Sequence, residues 1–174
     1  MEHLKQFIRS VPGFPKPGIN FYDITTLFQN PRGFDLALDA MEKFVRSKQA
    51  SKIVAIEARG FVLAAALADR LKIGLALARK PGKLPFTSIS QEYDLEYGTD
   101  RLCLHTDAVT TKDRVVVVDD LIATGGTLVA ACKLVEQLGG QVVGISCVIG
   151  LTFLPHHEKL SKYDVNYLIS YDSE

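Results

Sequence analysis

The chain has 174 residues, enough for one domain with a substantial core, and 47% of them are hydrophobic, as is usual for packed globular proteins. Twenty Lys and Arg balance twenty Asp and Glu, so the formal net charge is zero. This balance argues against a general nucleic-acid binder, which needs a basic face to displace counterions.

The N-terminal part of the chain predicts a short helix, a loop and a longer helix. Leu4, Phe7 and Ile8 share one face of a helix over residues 2–9. Residues 12–18 contain three prolines, which exclude a helix or a central strand and predict a loop. Apolar residues at helical spacing predict a helix over residues 33–47.

Buried strands alternate with helices in the rest of the chain. The predicted strands lie within residues 52–60, 73–78, 101–106, 115–118, 142–150 and 165–170, and the predicted helices cover 61–71 and 126–138. Residues 79–98 break the pattern with Pro, Gly, Ser and charge, which predicts a long loop or ribbon of the kind that often forms a lid. The alternation indicates an α/β fold of parallel βαβ units in a single domain, 1–174.

Polar loops follow three of the predicted strands, at Glu57–Gly60, Arg79–Lys83 and Asp119–Thr127. In parallel sheets, ligands bind beyond the carboxyl ends of the strands. We therefore expect the three loops to converge on one crevice.

The segment VVVVDDLIATGGT, residues 115–127, combines a buried strand, two adjacent carboxylates and a Thr/Gly loop that leads into a helix. Backbone N–H groups and the helix dipole at such a loop favour a phosphate. The segment matches neither a Walker A loop nor a GxGxxG fingerprint. A lone Asp-Asp pair is more often a turn cap, but in this setting Asp119 and Asp120 favour a ribose diol with a divalent cation.

The same segment closely resembles the phosphoribosyl-diphosphate (PRPP) binding motif of type I phosphoribosyltransferases. FPKPGINFYDIT, IEARGF, RKPGKLP and LEYG resemble further signatures of adenine phosphoribosyltransferases, in that family's order, over about residues 7–160. The resemblance implies a central, mostly parallel sheet flanked by helices, with a small base-binding N-terminal hood at about residues 1–30 and a mobile catalytic loop, or lid, at about 84–99.

The resemblance also implies the reaction. It is a Mg²⁺-dependent transfer of the 5-phosphoribosyl group from PRPP to N9 of adenine, which forms AMP and diphosphate in purine salvage. The bond at C1 of the ribose should break ahead of full attack. Mg²⁺ should be held mainly by PRPP and through water by Asp119 and Asp120, with no direct protein ligand. A homodimer is implied too, without a nucleic-acid or membrane partner.

Site residues follow from the matched motifs. The residues expected to bind PRPP are Ala58, Arg59, Gly60, Arg79, Lys80, Lys83, Asp119, Asp120, Ala123, Thr124, Gly125, Gly126 and Thr127. The expected catalytic residues are Glu96, Arg59, Lys83 and Tyr97, with Glu96 transferring a proton at the purine imidazole. The resemblance further implies a cis peptide at Glu57–Ala58. Without it, a helix N-terminus with a solvated Arg59 is an equal alternative.

The adenine pocket is assigned to Asn20, Phe21, Tyr22 and Leu151. Phe21 should stack on the purine with Leu151 on its other side, although ordinary core packing also explains Phe21. The backbone of Asn20 and Tyr22 should read the adenine edge. Family members commonly carry Arg at the position of Tyr22 and Glu at that of Gly150, so the departures concern the base and leave the PRPP residues intact.

Two other interpretations stay open at this stage. One is a phosphoribosyltransferase for a 6-oxopurine, and the other is a PRPP-binding regulator without catalysis. The absence of an added helix-turn-helix segment disfavours the regulator. An unspecialised α/β domain would leave the three polar loops unexplained.

The cysteines and the N-terminus bear on the compartment. Cys103, Cys132 and Cys147 are odd in number and lack a CxxC spacing, so we expect reduced, buried thiols. We find neither a signal-peptide pattern nor a run long enough to cross a bilayer, and we expect a cytoplasmic protein. The adjacent His156 and His157 are expected to be solvated rather than metal-binding.

Overall fold

The computed structural model describes residues 1–94 and 98–173. Its strands are β1 (Arg9–Pro12), β2 (Asn20–Asp23), β3 (Lys52–Ile56), β4 (Gly74–Ala78), β5 (Ser88–Asp94), β6 (Thr99–His105), β7 (Arg114–Val118), β8 (Leu121–Ile122), β9 (Gln141–Leu151) and β10 (Val165–Tyr171). Its α-helices are α1 (Thr25–Gln29), α2 (Pro31–Ser47), α3 (Gly60–Leu71), α4 (Gly126–Gln137) and α5 (His156–Leu160), and a 3₁₀ helix covers Glu2–Phe7.

The central sheet is parallel and has the order β10-β9-β7-β3-β4, with the short β8 beside β9. The β-branched residues of β7 are buried on both faces of this sheet, as expected for a central parallel strand. The α/β fold predicted from the sequence is confirmed.

Helices cover both faces of the sheet. Buried residues of α2 and α3 pack on one face, and those of α4 pack on the other together with β5 and β6. The helices that follow β3 and β7, which are neighbours, therefore leave toward opposite faces. Such a reversal opens a crevice at the carboxyl ends of the two strands.

Two antiparallel ribbons flank the sheet. The first pairs β1 with β2, so that Val11 lies opposite Phe21. The second pairs β5 with β6 over their full lengths, and Arg79 and Cys103 connect it to the end of β4. Within the region predicted as a long loop or ribbon, Ser88–Asp94 therefore form one strand of a ribbon.

Most predicted elements are present, and the differences have local causes. Helix α2 begins at Pro31, two residues before the predicted start, because the Asn30 side chain accepts a hydrogen bond from Gly33 N–H and caps the helix. The N-terminal helix is of the 3₁₀ type and ends at Phe7, where strand β1 follows. Five short elements were not predicted because each is too short to show a periodic pattern: β1, β2, β8, α1 and α5.

All three cysteines are free and buried, as predicted. Across residues 1–94 and 98–173 we find no helix long and apolar enough to span a membrane.

Candidate active site

The three polar loops converge at the carboxyl ends of β4, β3 and β7. One cavity of about 330 Å³ is lined by residues of all three loops, among them Ala58, Arg59, Lys80, Asp119 and Asp120. A second cavity of about 220 Å³ is lined by Asp119, Leu121 and the stretch 123–128. The two cavities share Asp119, Leu121 and Thr127, and they adjoin. The convergence predicted from topology is confirmed.

The smaller cavity lies at the N-terminus of α4. Gly125 precedes the helix with φ +80°, a conformation that favours glycine. A Cβ on Gly126 would come within 3.0 Å of the Asp94 carbonyl oxygen, so a side chain there would push against the ribbon. The first-turn N–H groups of α4 have no partner within the helix. This end of α4 therefore offers backbone donors and a positive dipole end to an anion.

Asp119 and Asp120 have different surroundings. Asp120 is buried and accepts a hydrogen bond from Arg59 Nε at 2.5 Å. Asp119 Oδ1 accepts from the Asp120 N–H at 2.8 Å. Burial of the carboxyl group and the neighbouring Asp120 charge raise the pKa of Asp119 well above its ordinary value. Ionisation of Asp119 is therefore unfavourable in the empty site, and a cation or a hydroxyl donor at the cavity wall would stabilise its charge.

The loop after β3 passes close to Asp119. The Glu57–Ala58 peptide is cis, as the resemblance implied. A Cβ on Gly60 would lie 3.0 Å from Asp119 Oδ1 and 3.0 Å from the Val118 carbonyl oxygen. Glycine at position 60 therefore lets the start of α3 reach the end of β7.

Glu57 holds the loop that follows β4. Its carboxylate accepts from Arg79 Nε and Nη2, each at 3.2 Å, and from the Lys80 backbone N–H at 2.9 Å. Burial opposes ionisation, but these hydrogen bonds outweigh it and lower the pKa of Glu57. Ile56 pairs with Ala78 in the sheet, so the next residues along each strand, Glu57 and Arg79, lie side by side.

Lys80 is held at the cavity wall by the ribbon. Its Nζ donates to the Tyr93 hydroxyl at 2.7 Å and to Asp100. Burial disfavours the charged amine, but Asp100 and Tyr93 outweigh it and raise the pKa of Lys80. Tyr93 also lines the larger cavity and was not predicted. Lys83 is exposed, and its carbonyl accepts from Arg79 Nη1 at 3.2 Å.

Phe21 faces the site from the hood. The Arg59 guanidinium lies 5.4 Å from the centre of the Phe21 ring, and the Phe14 ring meets it edge-on at 5.2 Å. Phe21 is half-buried and belongs to neither core cluster of the described residues. Since Arg59 also binds Asp120, one side chain connects the face of Phe21 with the carboxylate pair.

The Tyr22 side chain points away from this face. Its buried ring stacks on Tyr171 with 3.6 Å between ring centres, and its hydroxyl donates to the Ser173 carbonyl at 3.3 Å. Only the backbone of Tyr22 is left for the base. Gly150 faces Tyr167, whose ring would lie 2.8 Å from an added Cβ. The ring thus fills the space into which a glutamate at position 150 would extend.

Comparison with known proteins agrees with this geometry. The model of the phosphoribosyl transferase domain matches residues 23–172. The adenine phosphoribosyltransferase of Solibacter usitatus is 50% identical over 172 residues, 99% of each chain. The chain belongs to the adenine phosphoribosyltransferase family.

Solved structures of that family have the same fold. The Thermoanaerobacter pseudethanolicus adenine phosphoribosyltransferase is 48% identical, with a TM-score of 0.94 and coverage of 98% of this chain and 99% of that one. The Saccharomyces cerevisiae enzyme, complexed with adenine and an imino-altritol bisphosphate, is 35% identical, with a TM-score of 0.91 and 97% of both chains covered. The type I fold and the enzyme class that the motifs implied are thereby confirmed.

The remaining predicted residues are only partly placed by the structure. Glu96 and Tyr97 lie outside the described residues. Leu151 is half-buried at the end of β9 and packs on the core beside Tyr171. Among the described residues, neither Leu151 nor any residue of β2 lines the two cavities.

The expectation that both histidines are solvated is wrong for His156. It is 1% exposed, whereas His157 is exposed as predicted. His156 begins α5, which turns this side chain toward Gly125 of the loop before α4. The local sequence gives no sign of this burial, because the burial results from a tertiary contact with Gly125.

Proposed function

We propose that this adenine phosphoribosyltransferase binds PRPP across the two adjoining cavities and transfers its phosphoribosyl group to adenine held by the hood. The convergence of the loops after β3, β4 and β7 carries the proposal. It supplies one end rich in backbone donors, a carboxylate pair in the middle and cationic side chains opposite. PRPP has a monophosphate, a diol and a diphosphate in that order.

We assign the 5′-phosphate to Ala123–Thr127. The cavity at the start of α4 is lined by these five residues, and the helix dipole favours a dianion there. Thr124 and Thr127 add hydroxyl donors. The bisphosphate bound by the yeast relative supports an anion site in this fold.

We assign the ribose hydroxyls to Asp119 and Asp120. Among the described residues no group of three or more His, Cys, Asp or Glu could hold a metal ion. Asp119 and Asp120 would therefore hold Mg²⁺ only in part, and water and substrate oxygens would supply the other ligands. When bound, Mg²⁺ supplies Lewis-acid stabilisation of negative charge on the departing diphosphate.

We assign the diphosphate to the loops after β3 and β4. Ala58, Arg59 and Lys80 line the larger cavity, and Gly60 lets the backbone approach Asp119. The charge of Lys80 is held in place by Tyr93 and Asp100, so little reorganisation is needed when the leaving group develops charge. Arg79 is engaged with Glu57, and we assign it to shaping this loop and, with the exposed Lys83, to supplying positive charge.

Adenine is assigned to the hood. Phe21 would stack on the purine, and the backbone of Asn20 and Tyr22 would read its edge, with Leu151 opposite. A backbone carbonyl accepts from a 6-amino group and repels a 6-oxo oxygen, and such a site can discriminate by about 10⁴–10⁵-fold. The adenine bound by the yeast relative favours this base over hypoxanthine. Closure of the lid by residues 84–99, with Glu96 and Tyr97, would exclude water from a ribosyl cation.

A homodimer is the assembly we propose. Leu75 and Leu77 on the edge strand β4 are 38% and 37% exposed, and Phe86 is 59% exposed. The two leucines and Leu84 line one shallow cavity, and Phe86 contacts His105 at its wall. We call Leu75, Leu77, Leu84 and Phe86 the β4 patch. A second copy of the chain would cover it. The cytoplasm stays the predicted compartment.

The test is product formation with single omissions. The purified chain is incubated with adenine, PRPP and MgCl₂, and AMP is separated by anion-exchange chromatography. AMP should form only when all three are present, and EDTA should stop it. AMP formation without added Mg²⁺ in the presence of EDTA would contradict the cofactor, and failure to form AMP would contradict the activity.

A further inference from the structure

His156 is a buried imidazole that the assigned mechanism does not use. It begins α5 and is 1% exposed. Within the described part of the chain, neither Nδ1 nor Nε2 has a hydrogen-bond partner. Nearly all buried polar side chains make a hydrogen bond, so an unsatisfied imidazole calls for an explanation.

His156 contacts the phosphate loop from the protein interior. Its Cβ would lie 3.4 Å from a Cβ added to Gly125, yet it is not among the residues that line the cavity at the start of α4. The Tyr167 ring stands perpendicular to the imidazole at 6.1 Å, and the His157 ring lies 4.3 Å away. The imidazole is thus enclosed by α5, β10 and the loop.

Three backbone groups influence the protonation of the imidazole. Burial and the neighbouring His157 lower the pKa of His156, while the backbone groups of Leu151, Ala123 and Leu154 act against this lowering. Only a hydrogen-bond acceptor favours the protonated imidazole, so these groups act through their carbonyl oxygens. None of them meets hydrogen-bond geometry with His156 in this structure. The neutral ring has one N–H to donate, and Ala123 belongs to the same loop as Gly125, which His156 contacts.

The orientation of the Ala123 carbonyl fixes the orientation of the Thr124 N–H in the same peptide. In a planar trans peptide the C=O and the following N–H point in opposite directions. If the Ala123 carbonyl turns toward the imidazole, the Thr124 N–H turns away from it and toward the cavity. A hydrogen bond from His156 would hold this peptide in the orientation that serves an anion.

We propose that His156 is a positioning residue for the 5′-phosphate: its N–H donates to the Ala123 carbonyl when the loop holds a phosphomonoester and so aims the Thr124 N–H at the phosphate. The inference rests on the assignment of Ala123–Thr127 to that phosphate. This hydrogen bond should strengthen binding of the phosphate and should not affect binding of adenine.

The test compares four variants with a phosphate-only probe. His156→Leu removes the donor at similar volume, His156→Asn and His156→Gln each restore an N–H near one ring nitrogen, and His157→Leu is the matched control on the exposed neighbour. Binding of ribose 5-phosphate is measured by calorimetry, and KM for PRPP, KM for adenine and kcat are measured for each variant. Thermal unfolding shows whether each variant folds.

His156→Leu should weaken ribose 5-phosphate binding and raise KM for PRPP by about fivefold to tenfold, the value of one hydrogen bond, with KM for adenine and kcat within about twofold. Either His156→Asn or His156→Gln should recover most of the loss, and His157→Leu should match wild type. If His156→Leu does not fold, the difference between the Asn and Gln variants carries the comparison, because only the variant that places its N–H at the donating ring nitrogen should match wild type.

Three outcomes would overturn the proposal. Unchanged ribose 5-phosphate binding by His156→Leu would remove the role of His156 and leave the phosphate assignment intact. Equal losses for ribose 5-phosphate and adenine in all three His156 variants would show general support of the fold instead. If the wild-type chain does not bind ribose 5-phosphate, the assignment of the loop itself fails, and the inference fails with it.

Discussion

At the scale of single residues, the two neighbouring aspartates of the site differ in whether a cation pairs with them. Arg59 neutralises Asp120, but within the described residues no cation is recorded pairing with Asp119. Asp113, by comparison, forms an ion pair with Lys52 at 2.9 Å at the amino ends of β3 and β7, opposite the end that carries Asp119. Asp119 and Asp113 should therefore respond in opposite ways to loss of charge.

Asp119→Asn is expected to stabilise the fold while it impairs PRPP use. The pKa of Asp119 is raised by burial and by Asp120, so its favourable contribution to stability is complete below the unfolded pKa of about 3.9 and is lost as pH rises through the folded pKa. Asn keeps the neutral form at every pH. At pH 7.5 the Tm should rise, by about 2–4 °C for each kcal/mol recovered, and the gain should shrink toward pH 4.

Asp113→Asn is the matched control, with the opposite sign. Burial raises the pKa of Asp113, but hydrogen bonds from Lys52 and Thr110 outweigh it and lower the pKa overall. Its contribution is present above the unfolded pKa and is lost as pH falls through the folded pKa. The Tm of this variant should fall at pH 7.5. A fall in Tm for Asp119→Asn as well would contradict the raised pKa at the site.

Substitution of Lys80 and of Lys83 compares a lysine held in place by hydrogen bonds with an exposed one. Lys80→Ala should lower kcat/KM for PRPP by about 10²–10³-fold, since it removes a preorganised cation from the cavity wall. Lys83→Ala should also lower turnover if the lysine supports the leaving group. Lys72→Ala, at an exposed lysine paired with Asp69, is the control and should match wild type. Turnover of Lys83→Ala within a few-fold of wild type would remove Lys83 from the catalytic set.

At the scale of elements, the hood is tied to the last strand of the sheet. Tyr22 on β2 stacks on Tyr171 at the end of β10, and the Lys5 amine lies 4.9 Å from the centre of the Tyr171 ring. Thr152, next to Leu151, donates from its N–H to the Tyr171 carbonyl at 3.0 Å. The C-terminal end of β10 thus connects the two segments assigned to adenine.

Tyr171→Ala should weaken the attachment of the hood and leave PRPP binding unchanged. We expect KM for adenine to rise several-fold and KM for PRPP to stay within about twofold. The free energy of unfolding should fall by about 1–3 kcal/mol, less than for a fully buried ring because Tyr171 is half-buried. Tyr171→Phe keeps the stack and should behave as wild type. Equal increases in both KM values for Tyr171→Ala would show that the stack does not act on the hood alone.

The sequence predicts the elements that position the site better than the contacts within it. Strands β3, β4 and β7 follow from buried apolar runs, and their parallel order brings Glu57–Gly60, Arg79–Lys83 and Asp119–Thr127 together. The contact of Lys80 with Tyr93 and Asp100 depends on how the β5–β6 ribbon folds over β4, which no local pattern encodes. The burial of His156 likewise depends on packing against Gly125, which is distant in sequence, so no local pattern predicts it.

At the scale of the whole molecule, the β4 patch predicts self-association. The chain has a mass of 19.1 kDa, so a dimer should give about 38 kDa by light scattering at micromolar concentration. Leu77→Lys places a charge in the patch and should shift the mass toward the monomer, because a buried unpaired charge is costly at an interface. A wild-type mass near 19.1 kDa across that concentration range would contradict the dimer.

In the proposed mechanism one crevice holds PRPP, while the hood selects adenine through its backbone despite Tyr22 and Gly150. The most direct test incubates the chain with PRPP, MgCl₂ and equal amounts of adenine, hypoxanthine and guanine, and identifies the nucleotides formed. We predict AMP alone. Formation of IMP or GMP at a comparable rate would contradict base selection by the hood, and PRPP binding without formation of any nucleotide would contradict the catalytic assignment.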